Sequence, residues 1–311
     1  MKFFYALLSL LISSLSFSQT ERLFYYVEKD SLLGVKNQNG KIIVPADITW
    51  DTIGYNDTTE IKSSIFLLSF KNKGDLYFDR KGNYLFKTVL AALGYSDFHE
   101  GYILYQENKK SGLANRLGNK KIPAIYDHIS SMNFGYAQYC NGCYWDTSKD
   151  EEHPPLVGGV WGFVDRNGKE IKTTSRRNHP KDIEIKENTF IPYQFKYNKK
   201  EKQILIFFEK RKNQIIKIYG FNSSDEKLFF EIVEKPSEFK PFYTIKTFEL
   251  YDKYPSGADE TYPDYKIFKV SEDGKKFYVL YTDLVNHEKY SEFVERKTPV
   301  DSWIQQQLKV K

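Results

Sequence analysis

Cys140 and Cys143 are the only two cysteines in the 311-residue chain, and their Cys-Asn-Gly-Cys spacing can carry three kinds of chemistry. A redox pair needs a thiolate stabilised at a helix N-terminus. A zinc site needs two further ligands, and His153 is the one candidate nearby. A disulfide needs only an oxidising compartment. Asn141-Gly142 is a strong two-residue hairpin signal, Tyr136 to Tyr139 reads as strand, and no helical pattern follows. The first reading is therefore a disulfide stapling a hairpin, adding at most about 2 kcal/mol of chain entropy because the loop is so short. Beside it lie Tyr144 and Trp145, in an inserted segment from Cys140 to Val160 that also carries Asp150, Glu151, Glu152 and Pro154-Pro155. Loops on a β scaffold often hold binding residues, and a Tyr-Trp pair suits a sugar or peptide face. The plainer reading has Trp145 packed on the disulfide and the acidic run solvated.

Enzymatic signatures are otherwise missing. His99-Glu100 has no second histidine at zincin spacing, and neither a nucleophile elbow nor a glycine-rich phosphate loop occurs. Ser224-Asp-Glu-Lys227 and Ser237-Glu-Phe-Lys240 fit Ser-x-x-Lys without its companion motifs. The histidines at 99, 128, 153, 179 and 287 show no ligand spacing. No metal or cofactor is implied. Carboxylates are plentiful enough for a fold to assemble a hydrolytic pair, and two buried carboxylates with shifted pKa values in one cleft would favour that rival.

Internal repeats organise the first half of the chain. Gly34-Val-Lys-Asn37-Gln-Asn-Gly40-Lys41, Gly112-Leu-Ala-Asn115-Arg-Leu-Gly118-Asn119 and Gly162-Phe-Val-Asp165-Arg-Asn-Gly168-Lys169 share one frame, and Leu76-Tyr-Phe-Asp79-Arg-Lys-Gly82-Asn83 keeps it without the first glycine. Asn37, Asp79, Asn115 and Asp165 can each bond their own backbone two residues on, while Gly40, Gly82, Gly118 and Gly168 close the turn at positive φ. Each repeat then reads as a few short antiparallel strands, with Pro45 and Pro123 ending the returning ones. Phe98-His-Glu-Gly101 and Phe134-Gly135 mark a further strand.

These residues resemble the bacterial WG repeat. Trp161-Gly162-Phe163-Val164-Asp165-Arg-Asn-Gly168-Lys169 carries the first part of its pattern, Ile122-Pro123-Ala-Ile-Tyr126-Asp127 the second, and Phe98-His-Glu100-Gly101 the third. The resemblance covers roughly residues 30 to 172 and implies an all-β repeat array, propeller-like or solenoid-like, used as a binding or interaction module. Trp is absent before Gly34 and Gly112.

From 179 onward no repeat is found. Runs such as Ile204 to Phe208, Ile215 to Tyr219, Leu228 to Val233 and Phe242 to Leu250 read as strands of a second β-rich meander, with turns at Asn222 to Asp225 and Glu272 to Gly274. Asp301 to Leu308 reads as a closing helix capped by Asp301, with Trp303, Ile304 and Leu308 on one side. Lys196, Lys199, Lys200, Lys202, Lys210, Arg211 and Lys212 interleave with aromatics, but Glu201 and Glu209 interrupt them, so a solvated strand face fits better than a nucleic-acid surface. The charge balance of 46 basic against 41 acidic residues steers no polyanion.

Residues 1 to 18, MKFFYALLSLLISSLSFS, have the charge, apolar run and small-x-small end of a secretory signal peptide. The apolar run is shorter than a membrane span and is followed by Glu21 and Arg22. The expected organisation is a signal peptide at 1–18, a WG-like β-repeat domain at 19–178 and a β-rich domain at 179–311, in an extracytoplasmic protein that binds a protein or glycan and has no transmembrane span once cleaved. N-terminal sequencing of exported material is expected to start near Gln19; a start at Met1 refutes the assignment.

Overall fold

The computed structural model describes residues 21–29, 32–49, 59–91, 94–95, 97–148, 154–219, 228–251, 254–257, 267–286 and 291–310. The expected signal peptide, the acidic run with His153, the turn at Asn222 to Asp225 and His287 lie outside the described residues.

Each of the first three repeats folds as a three-stranded antiparallel meander around its Asn/Asp-x-x-Gly turn. The first comprises β1 (Leu23–Glu28), β2 (Leu32–Asn37) and β3 (Ile42–Ile48), and β4 (Glu60–Ile61) pairs with the free side of β1. The second comprises β5 (Ile65–Phe70), β6 (Gly74–Asp79) and β7 (Tyr84–Thr88), followed by a small pair, β8 (Leu90–Ala91) and β9 (Gly94–Tyr95). The third comprises β10 (Tyr102–Glu107), β11 (Lys110–Asn115) and β12 (Lys120–Tyr126). The fourth has β14 (Tyr136–Trp145) and β15 (Leu156–Asp165) beside the short β13 (His128–Ile129), and its third strand is reduced to a bridge between Val164 and Glu170.

One local device sets all four turns. The side-chain oxygen of Asn37 accepts from Asn39 N and Lys41 N, both at 3.0 Å, and Asp79, Asn115 and Asp165 accept from the equivalent N–H groups. Gly40, Gly82, Gly118 and Gly168 follow at φ 80°, 83°, 81° and 78°, a region closed to most side chains. The first glycine of the motif has a different purpose. Gly34 pairs with Tyr26, Gly112 with Tyr105 and Gly162 with Tyr139. A Cβ on Gly34 or Gly162 would lie 2.6 or 2.5 Å from the paired tyrosine ring, and one on Gly112 would lie 2.4 Å from the Ile122 carbonyl oxygen on the third strand. Tyrosine thus crosses the glycine to reach that strand, where Tyr26 Oη accepts from Ala46 N and Tyr105 Oη donates to Ile122 O. In the second repeat, where the glycine is Leu76, the partner is Leu68.

The expected propeller-like or solenoid-like array is not what the pairing builds. The second and third repeats merge into one six-stranded sheet through Tyr105–Thr88 and Gln106–Lys87, the first and fourth stay in separate sheets, and no closed propeller or solenoid is present among the described residues. Pro45 and Pro123 do not end their strands either. β3 and β12 are edge strands that run through proline at a register shift, where no ladder N–H is needed.

After β16 (Ile183–Lys186) and β17 (Thr189–Ile191), the runs expected as strands at Ile204 to Phe208 and Ile215 to Tyr219 are helices, α1 (Lys199–Glu209) and α2 (Lys212–Tyr219). Asn198 caps α1 through Glu201 N while Glu201 returns a bond to Asn198 N, and Glu201, Ile204 and Phe208 fall on the buried face. The lysines expected on a strand face therefore lie on helix surface and its approaches. The chain is mostly β rather than all β. The later strands are β18 (Leu228–Glu234), β19 (Phe242–Tyr251), β20 (Tyr254–Gly257), β21 (Ile267–Ser271), β22 (Phe277–Asn286) and β23 (Ser291–Pro299), in the antiparallel order β18-β19-β21-β22-β23 with β20 added to β19. The closing helix α3 (Val300–Val310) begins before Asp301, which instead accepts from Arg211 Nε and Nη2; Trp303 and Ile304 are buried, while Leu308 stays exposed.

Ile204, Phe208, Ile215 and Trp303 pack on Phe230, Ile245 and Phe268 of this sheet. A separate cluster joins Phe134 and Tyr136 of the fourth repeat to Ile183, Ile191, Phe195, Val233 and Phe248, so apolar burial continues across residue 178. Gly112→Ala is expected to lose about 1–3 kcal/mol in urea unfolding, because backbone on the neighbouring strand cannot yield to the new methyl; an unchanged midpoint would refute the close-approach account.

Candidate functional site

Two features stand out from the scaffold, and the first is the end of β14–β15. Aligned on their turns, Asn141 and Val160 correspond to Glu107 and Lys110, so residues 142–159 replace the two-residue turn Asn108-Lys109. Register is constant from Tyr136–Asp165 to Trp145–Leu156. The Cys140–Cys143 disulfide lies within this ribbon. The expectation that Asn141-Gly142 forms the hairpin turn is therefore overturned: both residues sit inside strand β14 and the chain reverses beyond Trp145. Residues three apart on a regular strand point to opposite faces. Here Gly142 at φ 79°, opposite Gly159 at φ 70°, breaks the alternation and lets the sulfurs meet. A Cβ on Gly159 would lie 2.5 Å from Cys140 Sγ and 2.6 Å from Cys143 N.

Tyr144, Trp145, Val160 and Trp161 are 63, 58, 72 and 41% exposed. Trp145 meets the His128 ring edge-on at 6.1 Å, and the Trp161 ring lies 6.4 Å from it, tilted by 59°. Trp161 Nε1 donates to Gly158 O at 2.8 Å, which fixes its ring on the ribbon. Burial lowers the His128 pKa, so the imidazole beside the tryptophans favours its neutral form.

The second feature is a seam where the arginine after the turn Asn/Asp of the second, third and fourth repeats meets the end of β18 and the hairpin tip between β18 and β19. Arg166 donates to Glu100 Oε2, Glu100 O and Val233 O. Arg116 grips Glu234 with two nitrogens and covers the Phe98 ring at 4.4 Å. Arg80 donates to Ile61 O and Ser63 O and covers Phe239 at 4.8 Å. Glu100 and Phe134 are equivalent residues of two tight turns, with φ 52° and 51°, each followed by a glycine. The buried Glu100 carboxylate accepts from Phe134 N at 2.6 Å and Gly135 N at 3.0 Å, and so ties one such turn to the next.

Glu100 and Glu234 line one cleft of about 180 Å³. Burial pushes the Glu100 carboxyl up against the opposing pull of Arg166, Lys246 and its two N–H donors. Burial also acts to raise Glu234, but Arg116 and Lys240 outweigh it and hold the carboxyl at about 2. Two buried, oppositely shifted carboxylates in one cleft meet the condition set for a hydrolase. Every oxygen of both nevertheless accepts from an N–H group of the protein, an arrangement typical of structural ion-pair networks as well.

None of the seam residues was singled out as functional from sequence, although Asp/Asn-Arg recurs in three of the four turns and was a usable signal. A further buried carboxylate, Glu231, accepts from Lys181, Tyr193 and Tyr197 and braces the segments on both sides of the β16–β17 pair.

Because Glu234 sits at about 2 when folded, against an ordinary value of 4.5, its contribution is present above pH 4.5 and lost as pH falls toward 2. This amounts to about 3 kcal/mol at 1.36 kcal/mol per unit. Urea unfolding between pH 2 and 7 is expected to show a shallower acid slope and lower neutral-pH stability for Glu234→Gln; equal acid slopes would contradict it.

Residues 112–145 match the WG containing repeat family, from the start of the glycine-bearing part of β11 to the end of β14. No curated protein matches the chain, and no solved structure matches it. The segment 112–145 is thus a WG containing repeat.

Proposed function

We propose that this chain is an exported, non-enzymatic binding or scaffold protein acting in the cell envelope or outside it, which recognises a protein or glycan through the β14–β15 ribbon of a WG-like repeat array. The observation that carries this reading is the ribbon itself: an extension of the fourth repeat bearing Tyr144, Trp145, Val160 and Trp161 exposed. Exposed aromatics provide large apolar contact with few rotamers to fix, which favours binding over self-packing. The disulfide and the Trp161–Gly158 bond hold the aromatics in place before a partner arrives, which lowers the entropic cost of association.

Extending the repeat array to the other three meanders rests on their shared turn and on the Tyr-Gly crossing in the first, third and fourth. Export rests on residues 1–18, and a disulfide suits an oxidising compartment. Nucleic acid is not a proposed partner, since the lysines near α1 are interrupted by acids and the formal net charge is only +5.

The second reading is an envelope hydrolase using Glu100 and Glu234, favoured by their shared cleft and opposite shifts and opposed by their saturated oxygens.

Cross-linked pull-down of the exported protein from its own envelope, beside Tyr144→Ala/Trp145→Ala, tests the first reading. A partner retained by the parent and lost by the double variant at unchanged thermal stability is expected. Equal capture by both refutes the ribbon, and hydrolysis of envelope glycan by the same preparations, abolished by Glu100→Gln, would move the second reading ahead.

A further inference from the structure

Beside the Glu100–Glu234 cleft, and sharing Arg116 and Ser237 with it, lies a second cleft of about 180 Å³. Its walls come from two distant parts of the chain: Lys62, Ser63, Phe98 and Arg116 from the repeats, and Phe239 and Lys240 from the β18–β19 tip. That tip is a tight reversal in which Ser237 and Lys240 exchange backbone hydrogen bonds, projecting Phe239 under the Arg80 guanidinium.

The charge on these walls has one sign. No carboxylate is among the described lining residues, whereas three cationic side chains are. Glu234, which lines the neighbouring cleft, bonds Arg116 and Lys240 and presents both as fixed donors, while Glu238 sits in the tip between Ser237 and Phe239 without lining the cleft. Lys62 is exposed and makes no ion pair among the described residues; its neighbour Glu60 is held by Arg22 at 2.7 Å. Phe98 and Phe239 give the cleft apolar surface next to these donors. Pre-positioned cations beside apolar walls are the composition of a small-ligand site with an anionic head group.

We infer that this cleft binds a small acidic sugar, its carboxylate or phosphate held by Lys62, Arg116 and Lys240 and its ring against Phe98 and Phe239. The site is separate from the ribbon and does not depend on the ribbon's function. Binding there bridges the repeats and the β18–β19 tip, so the ligand also clamps the seam.

Calorimetric titration of the full exported chain at low salt tests this with glucuronate, glucose 6-phosphate, inorganic phosphate and neutral glucose as probes. One of the two acidic sugars is expected to bind with Kd below about 1 mM, and which one does so separates the carboxylate from the phosphate source. Glucose is expected not to bind. Lys62→Glu, a change at an exposed residue, is expected to weaken binding at least tenfold with an unchanged melting temperature, Phe239→Ala to weaken it as well, and Tyr144→Ala/Trp145→Ala to leave it intact. Failure of both acidic sugars to bind, binding insensitive to Lys62→Glu, or inorganic phosphate binding as tightly as the sugar phosphate overturns the proposal.

Discussion

The buried carboxylate of Glu100 is the point on which the neighbouring parts of the molecule converge. Removing a carboxylate from water is costly unless its oxygens are met by good donors. Glu100 meets that demand with donors from elsewhere: the next repeat's turn through Phe134 N and Gly135 N, and the fourth repeat's Arg166. Arg166 in turn donates to Val233 O on β18. The third repeat, the fourth repeat and the later sheet must therefore take one mutual arrangement to keep a single charge satisfied. Apolar packing reinforces it, since Phe134, whose N–H serves Glu100, also packs on Phe195 and Phe248.

Around this node the repeats use one residue position for contacts that differ in kind. Arg80 reaches backbone carbonyls and a phenyl ring, Arg116 a buried carboxylate, and Arg166 both carboxylate and backbone. The first repeat has Gln38 there, and it accepts from its own repeat's Arg22 N instead. A long side chain leaving a rigid turn serves as an adaptor: the turn fixes where it starts, and the neighbour decides where it ends. This explains how similar meanders can sit in three different sheets.

What the sequence made legible was local. Asn37 and Gly40 act on each other within one turn, so residue type and spacing suffice to foresee both the side-chain bonds and the positive φ. The crossing of Tyr105 over Gly112 was not foreseen, because it depends on which strands pair. Five consecutive apolar residues from Ile204 to Phe208 carry no period to separate strand from helix, whereas Asn198 and Glu201 just before them held the capping signal that decides it. Asn141-Gly142 misled for a related reason. A glycine at positive φ serves a turn or a twisted ribbon equally well, and the residues that select the ribbon, Gly158 and Gly159, lie across the strand pair. The Glu100, Arg166 and Val233 convergence spans 66 and 67 residues between partners, and no local pattern announces it.

The constant register of the ribbon bears on how such a protein can change. Because β14 and β15 stay in step past the glycines and out to Trp145–Leu156, residues added in facing pairs at the tip would lengthen its reach while leaving the Tyr136–Asp165 end, and every contact of the fourth repeat with Glu100, where they are. The glycine and disulfide crossing thus separates a finger whose length can change from a grip whose contacts that change does not reach.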